Sequence, residues 1–156
     1  MLNLKQILVP TDFSTPSENA LLYGKALAET FGATLHLIHV VEEPPVYPWA
    51  SPEGLLPMPL PAWDEIDQNV RAQMAKLLTD AEQRLFRSQI VTVAGSPFVE
   101  IVRYAKSHEI DLIVIGTHGR GPVAHMLLGS VAEKVVRKAP CPVLTVRHPE
   151  HEFVMP

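Results

Sequence analysis

The chain has 156 residues, 47% of them hydrophobic and 19% charged, with a formal net charge of −4 and one cysteine, Cys141. That length suits one domain whose core needs neither a metal nor a disulfide staple, and a lone cysteine excludes an internal disulfide framework. The acidic balance argues against a protein that coats nucleic acid or an anionic membrane through bulk charge.

In chain order, Ile7-Leu8-Val9, closed by Pro10, reads as a short buried strand that starts at Lys5 or Gln6. A loop follows over Thr11, Asp12, Phe13 and Ser14. The first helix is expected to open on a capping box, with Thr15 at the N-cap, Pro16 at the first helical position and Glu18 at the third. Ala20, Tyr23, Leu27 and Phe31 form its apolar stripe, and Gly32 ends it as a left-handed cap. Thr34 to Val41 is apolar almost throughout, as in a strand covered on both faces of a parallel sheet.

Residues 44–61 hold seven prolines and fit neither a helix nor a central strand. This semi-rigid, apolar insertion would fold over a site beside the second strand or onto a partner copy; a solvated loop is the alternative. Asp64 is placed at the cap of a second helix with one stripe over Ile66, Val70, Leu77, Ala81 and Leu85. Ile90 to Val93 is the third strand, and Ser96-Pro97 opens a third helix. Asp111 to Ile115 carries the strongest buried-strand signal, and glycines 116, 119, 121 and 129 mark the loop after it. Ser130 and Glu133 are read as another capping box, for a helix ending near Lys138; Pro140 and Pro142 precede the last strand, Val143 to Val146. The domain spans 1–148, with 149–156 a loose tail.

Strands alternating with helices predict an α/β fold: an open parallel five-stranded sheet with helices on both faces. In such sheets ligands sit outside the carboxyl ends of the strands, where strand order reverses. Two loops at carboxyl ends carry unusual residues, 10–14 and 116–130. In the second, Gly116-x-x-Gly119 and then Gly129-Ser130 run from a strand into a helix. Glycines let backbone N–H groups approach an anion, and a helix start adds unsatisfied donors and a positive dipole end. Ser130 would donate to a phosphate, or merely cap the helix. Bases outnumber acids by four (Arg120, Lys134, Arg137, Lys138) to one (Glu133) between 116 and 138. Three of the four sit near a helix C-terminus, where the dipole favours them; Arg120 sits in the glycine loop. Asp12 would bond a ribose or base, help hold a divalent cation, or cap its own loop.

Other motifs are missing. There is no G-x-x-x-x-G-K-[ST] loop, no glycine fingerprint after the first strand, and no G-x-S-x-G elbow. Of the seven histidines, His36 and His39 are three apart and face opposite sides of a strand, and no ligand spacing for zinc occurs. Cys141 reads as a structural thiol. With no secretory h-region and no apolar run near ~20 residues, a cytoplasmic location without a membrane span is expected.

These residues together resemble the universal stress protein family, specifically its ATP-binding branch. The resemblance rests on Ile7 to Ser14, on Asp111 to Gly121, on Leu128-Gly129-Ser130-Val131 and on Ala139 to Leu144. The glycine loop fits the family pattern G-x2-G-x9-G-[ST], and the resemblance covers roughly residues 4–147. It implies strand order 3-2-1-4-5, an adenine nucleotide alpha hydrolase-like fold, and an adenine nucleotide (ATP, or AMP or ADP) as ligand, with Mg²⁺ or Mn²⁺ alongside through its phosphates. By the same resemblance Pro10, Thr11 and Asp12 contact adenosine, and Val40 and Ile115 meet the adenine. Gly116 approaches the ribose and α-phosphate, and Gly119, Arg120, Gly129, Ser130 and Val131 hold the phosphates. Val143, Leu144, Thr145 and Val146 pair across a two-fold axis in a homodimer.

Between Asp111 and Glu133 the chain has no carboxylate. A fast ATPase needs a group to orient water and another to stabilise the transferring phosphate. The expectation is therefore a nucleotide-binding stress or signalling protein with no catalytic residue. A structural dimerisation module that binds no nucleotide, and a slow ATP hydrolase, are the alternatives.

Overall fold

The computed structural model describes residues 3–42, 63–117 and 128–147. The 44–61 insertion, the 149–156 tail, and His118, Gly119 and Arg120 of the glycine loop lie outside them.

Five strands form one parallel sheet: β1 (Gln6–Pro10), β2 (Thr34–Val41), β3 (Gln89–Ala94), β4 (Leu112–Gly116) and β5 (Val143–Val146), in the order β3-β2-β1-β4-β5. The helices are α1 (Thr15–Phe31), α2 (Trp63–Ala75), α3 (Asp80–Leu85), α4 (Pro97–Ser107) and α5 (Ser130–Lys138). Successive strand side chains point to opposite faces, so the continuous apolar runs feed two cores. Ile7, Val9, Leu35, Leu37 and Val114 pack with α1 and α2; Leu8, Ile38, Ile113 and Ile115 pack with α4 and α5. The expected fold class and strand order are both found.

Local expectations are corrected at three places. The cap of α1 is Ser14, one residue before the expected Thr15, and Ser14 Oγ accepts the Ser17 N–H at 3.4 Å. Asp12 Oδ1 takes the Ser14 N–H at 3.0 Å, turning the chain before the helix instead of inside it. The buried face of α1 is Ser17, Ala20, Leu21, Gly24 and Ala28, while Tyr23 is 57% exposed and Phe31 is also turned out. Here Gly24 decides: a Cβ on it would stand 2.5 Å from Val9 Cγ2, so the helix lies on β1 through its glycine.

The expected single helix after the insertion is two. A capping box at Thr79 and Glu82 starts α3, with the Thr79 N–H donating to Glu82 Oε2 at 2.7 Å. Lys25 Nζ donates to the Leu77 carbonyl and to Glu82, both at 2.9 Å, and so draws this break onto α1. Asp64 lies in the first turn of α2, which begins at Trp63. The third correction concerns the start of α5 and bears directly on the site.

Candidate functional site

The sheet opens where its order reverses. β1 pairs with β2 along its whole length, from Gln6 to Pro10, but with β4 only at Ile7 and Leu8. Beyond that point β4 follows β5 up to Gly116. The two central strands thus part toward their carboxyl ends, and the loop after β1 and the start of α5 stand on either side of the gap.

On the β1 side the loop is held by its own polar groups. The Thr11 N–H donates to the Ile38 carbonyl at 2.8 Å. Ser17 donates its hydroxyl to the Ser14 carbonyl at 2.8 Å, so the 3.2 Å contact between Thr11 Oγ1 and Ser17 Oγ is a bond from Thr11 to Ser17. Thr11 Oγ1 in turn accepts the Phe13 N–H at 3.1 Å. Asp12 Oδ1 accepts both the N–H and the hydroxyl of Ser14, and Oδ2 has no partner among the described residues. Asp12 therefore caps its own loop with one oxygen. Phe13 has φ 62°, a left-handed conformation that costs a bulky residue free energy and persists only where its surroundings impose it.

On the β4 side, the Gly129 N–H donates to the Thr117 carbonyl and the Thr117 N–H to the Val146 carbonyl at 2.9 Å, tying the α5 entrance to the sheet. Gly129 is the N-cap, with φ −65° and ψ 154°, and Ser130 is already helical. The expected box of Ser130 and Glu133 is thereby overturned, since Gly129 holds the cap position and no side chain caps this helix. The Ser130 side chain is exposed. Gly129 itself cannot offer its N–H to an anion; the N–H groups of Ser130, Val131 and Ala132, which have no intrahelical partner, can.

The apolar candidates converge. Ile115 is buried, and Val40 and Val131 pack against the same cluster. Pro10 ends β1 and is buried. At Gly116 packing against α1 by itself demands glycine: a Cβ there would meet the Pro16 carbonyl oxygen at 2.6 Å. Along β5, Val146 is buried in this chain's own core and Leu144 is 37% exposed.

Of the bases expected near the end of α5, Arg137 and Lys138 lie in its last turn, where the dipole favours them, and Lys134 lies before it. Arg137 pairs with Glu133 at 2.9 Å, and Lys134 lies 5.1 Å from the centre of the Phe98 ring. Burial and the neighbouring Asp111 push the Cys141 thiol up, the opposite of an activated nucleophile. No group of three His, Cys, Asp or Glu residues among the described ones fits a metal ion. Nor is any helix among the described residues long and apolar enough to cross a membrane. Sequence reasoning gave no role to two residues at this site, His39 and Ser17. Ser17 had a signal, a small polar residue on the inner face of a helix; the His39 contact joins residues 28 apart and had none.

The protein is a doubly wound α/β sheet whose switch-point crevice, with a polar loop on one side and a helix start on the other, is where sheets of this class take their ligands. Comparison with known proteins narrows it. The universal stress protein family profile matches residues 3–147, and the chain belongs to that family. It is 34% identical over 152 residues to a universal stress protein of Methanocaldococcus jannaschii, MJ0531, covering 95% of this chain and 85% of the relative. Among solved structures it is similar to universal stress protein UspA from Lactobacillus plantarum, with TM-score 0.70, 27% identity, and coverage of 94% and 100% of the two chains. It shares its fold with a universal stress protein from Archaeoglobus fulgidus in complex with dAMP, at TM-score 0.59 and 20% identity, covering 92% of this chain and 98% of the other.

Proposed function

We propose that the chain binds an adenine nucleotide, ATP above all, in the crevice between the ends of β1 and β4, and acts in stress response or signalling as a nucleotide-dependent cytoplasmic homodimer. The observation that carries this reading is the entrance of α5. There Gly129 is spent on Thr117, while the N–H groups of residues 130–132 and the uncapped Ser130 hydroxyl stand at the switch point. The relative solved with dAMP supports the choice of an adenine nucleotide.

In this reading Ser130 and Val131 hold the phosphates with Gly119 and Arg120, and Gly116 and Gly129 shape the approach to them. Pro10, Thr11 and Asp12 meet the adenosine; Val40 and Ile115 flank the adenine. A divalent cation would enter on the phosphates, where Asp12 Oδ2, which has no partner among the described residues, could help hold it. A bound Mg²⁺ would supply charge neutralisation at the phosphates. The functional unit is the 1–148 domain, which includes the 44–61 insertion, with 149–156 as its tail. The exposed edge of β5 supports pairing with a second copy through Val143 to Val146.

The test is direct. The purified chain is denatured, and the supernatant is examined by absorbance and chromatography for released nucleotide; calorimetry then measures rebinding of ATP, ADP and AMP. Micromolar binding corresponds to about −8 kcal/mol. No copurified nucleotide and no rebinding would leave the dimerisation module as the better reading.

A further inference from the structure

The ladder between β1 and β2 ends at Pro10 and Ile38. One more residue is still held: the Thr11 N–H reaches the Ile38 carbonyl. A continued parallel ladder would bring the Val40 N–H to the Thr11 carbonyl. The bond found there comes instead from a side chain, His39 Nδ1, at 2.8 Å. A carbonyl only accepts, so Nδ1 carries the hydrogen and the tautomer follows from the partner. The same imidazole packs against Phe13, with ring centres 4.7 Å apart and planes at 36°. Phe13 is the residue in the left-handed conformation, and its N–H is held by Thr11 Oγ1. His39 therefore grips both ends of the Thr11–Phe13 turn, its nitrogen on the first carbonyl and its face on the strained phenylalanine.

We propose that His39 is a positioning residue of the adenosine half of the site: it substitutes for the missing main-chain donor at the end of β2 and sets the conformation in which Asp12 presents its second oxygen to the ligand. The assignment rests on the nucleotide reading above. It concerns the β1 side alone, because the described contacts of His39 run to Thr11 and Phe13 and none to α5.

The experiment titrates the full chain calorimetrically with ATP, adenosine and inorganic tripolyphosphate, in the parent and in His39→Leu, His39→Asn and His39→Gln. Asn places an amide N–H close to where Nδ1 stands, and Gln carries it past that point. The expected result is that Leu and Gln weaken ATP and adenosine binding about tenfold, the size of one lost hydrogen bond, while Asn stays near the parent. Tripolyphosphate affinity should be the same in every variant. If His39→Leu fails to fold, the Asn and Gln pair carries the comparison alone. Equal ATP affinity in Asn and Gln, or a parallel loss for adenosine and tripolyphosphate, overturns the positioning role. A parent that binds none of the three ligands overturns the nucleotide reading, and the assignment with it; a parent that binds while Leu and Gln bind equally well overturns only the assignment.

Discussion

The last residue of β4, Gly116, lies against the main chain of Pro16, so that a β-carbon on it would stand 2.6 Å from the Pro16 carbonyl oxygen. The end of one central strand thus touches the first turn of the helix that follows the other. Backbone, unlike a flexible side chain, cannot swing away. Gly116→Ala is expected to destabilise the chain by about 1–3 kcal/mol, the usual cost of forcing atoms into a packed site. Urea denaturation measures it, and a cost near zero would mean that α1 shifts freely on the sheet. Gly24→Ala, which meets the Val9 side chain at 2.5 Å, gives the contrast between side-chain and backbone obstruction.

Ser130→Ala should leave thermal stability unchanged, since the hydroxyl caps nothing in this helix. A capping serine would cost ~1 kcal/mol on removal. The same variant should lose roughly tenfold or more in ATP affinity, the worth of a hydrogen bond to a charged group. Melting curves and calorimetry on one preparation separate the two effects. A lower melting temperature with intact affinity would return Ser130 to a purely structural role.

His36 gives a pH dependence. Its ring is buried in β2, with Nε2 donating to Gln6 Oε1 at 2.7 Å and Nδ1 accepting from the Tyr104 hydroxyl at 2.9 Å. Burial, and then the nearby His108, lower its pKa from 6.5 to about 4. The folded state therefore resists protonation more than the unfolded chain does. The stability from the neutral ring is complete above pH 6.5 and is lost as pH falls toward about 4. The loss is up to about 3 kcal/mol. Denaturation of the parent minus that of His36→Gln, followed across this window, should show that slope; parallel curves would remove His36 as its source.

Leu144→Asp tests assembly. Leu144 is exposed on the edge strand β5, and a buried charge there would oppose pairing with a second copy. Light scattering should report a dimer for the parent and a monomer for the variant. Val146 is a poor choice for this test, because it is buried in the core of its own chain.

The residues themselves mark β2 at Thr34–Val41 and β5 at Val143–Val146, because largely apolar runs with glycine or proline nearby admit few other structures. Alternation of strand and helix was enough to name the fold class, and the two odd loops at carboxyl ends pointed to the crevice. Finer features depended on partners distant in the chain. Gly129, its N–H held by the Thr117 carbonyl, displaces Ser130 as the cap of α5. Gly116 is glycine through contact with Pro16, 100 positions away, and His39 reaches Thr11 across two strands. Hydrophobic period and turn chemistry are local and can be read along the chain; steric contact and hydrogen-bond geometry exist only between elements, so packing alone decided them.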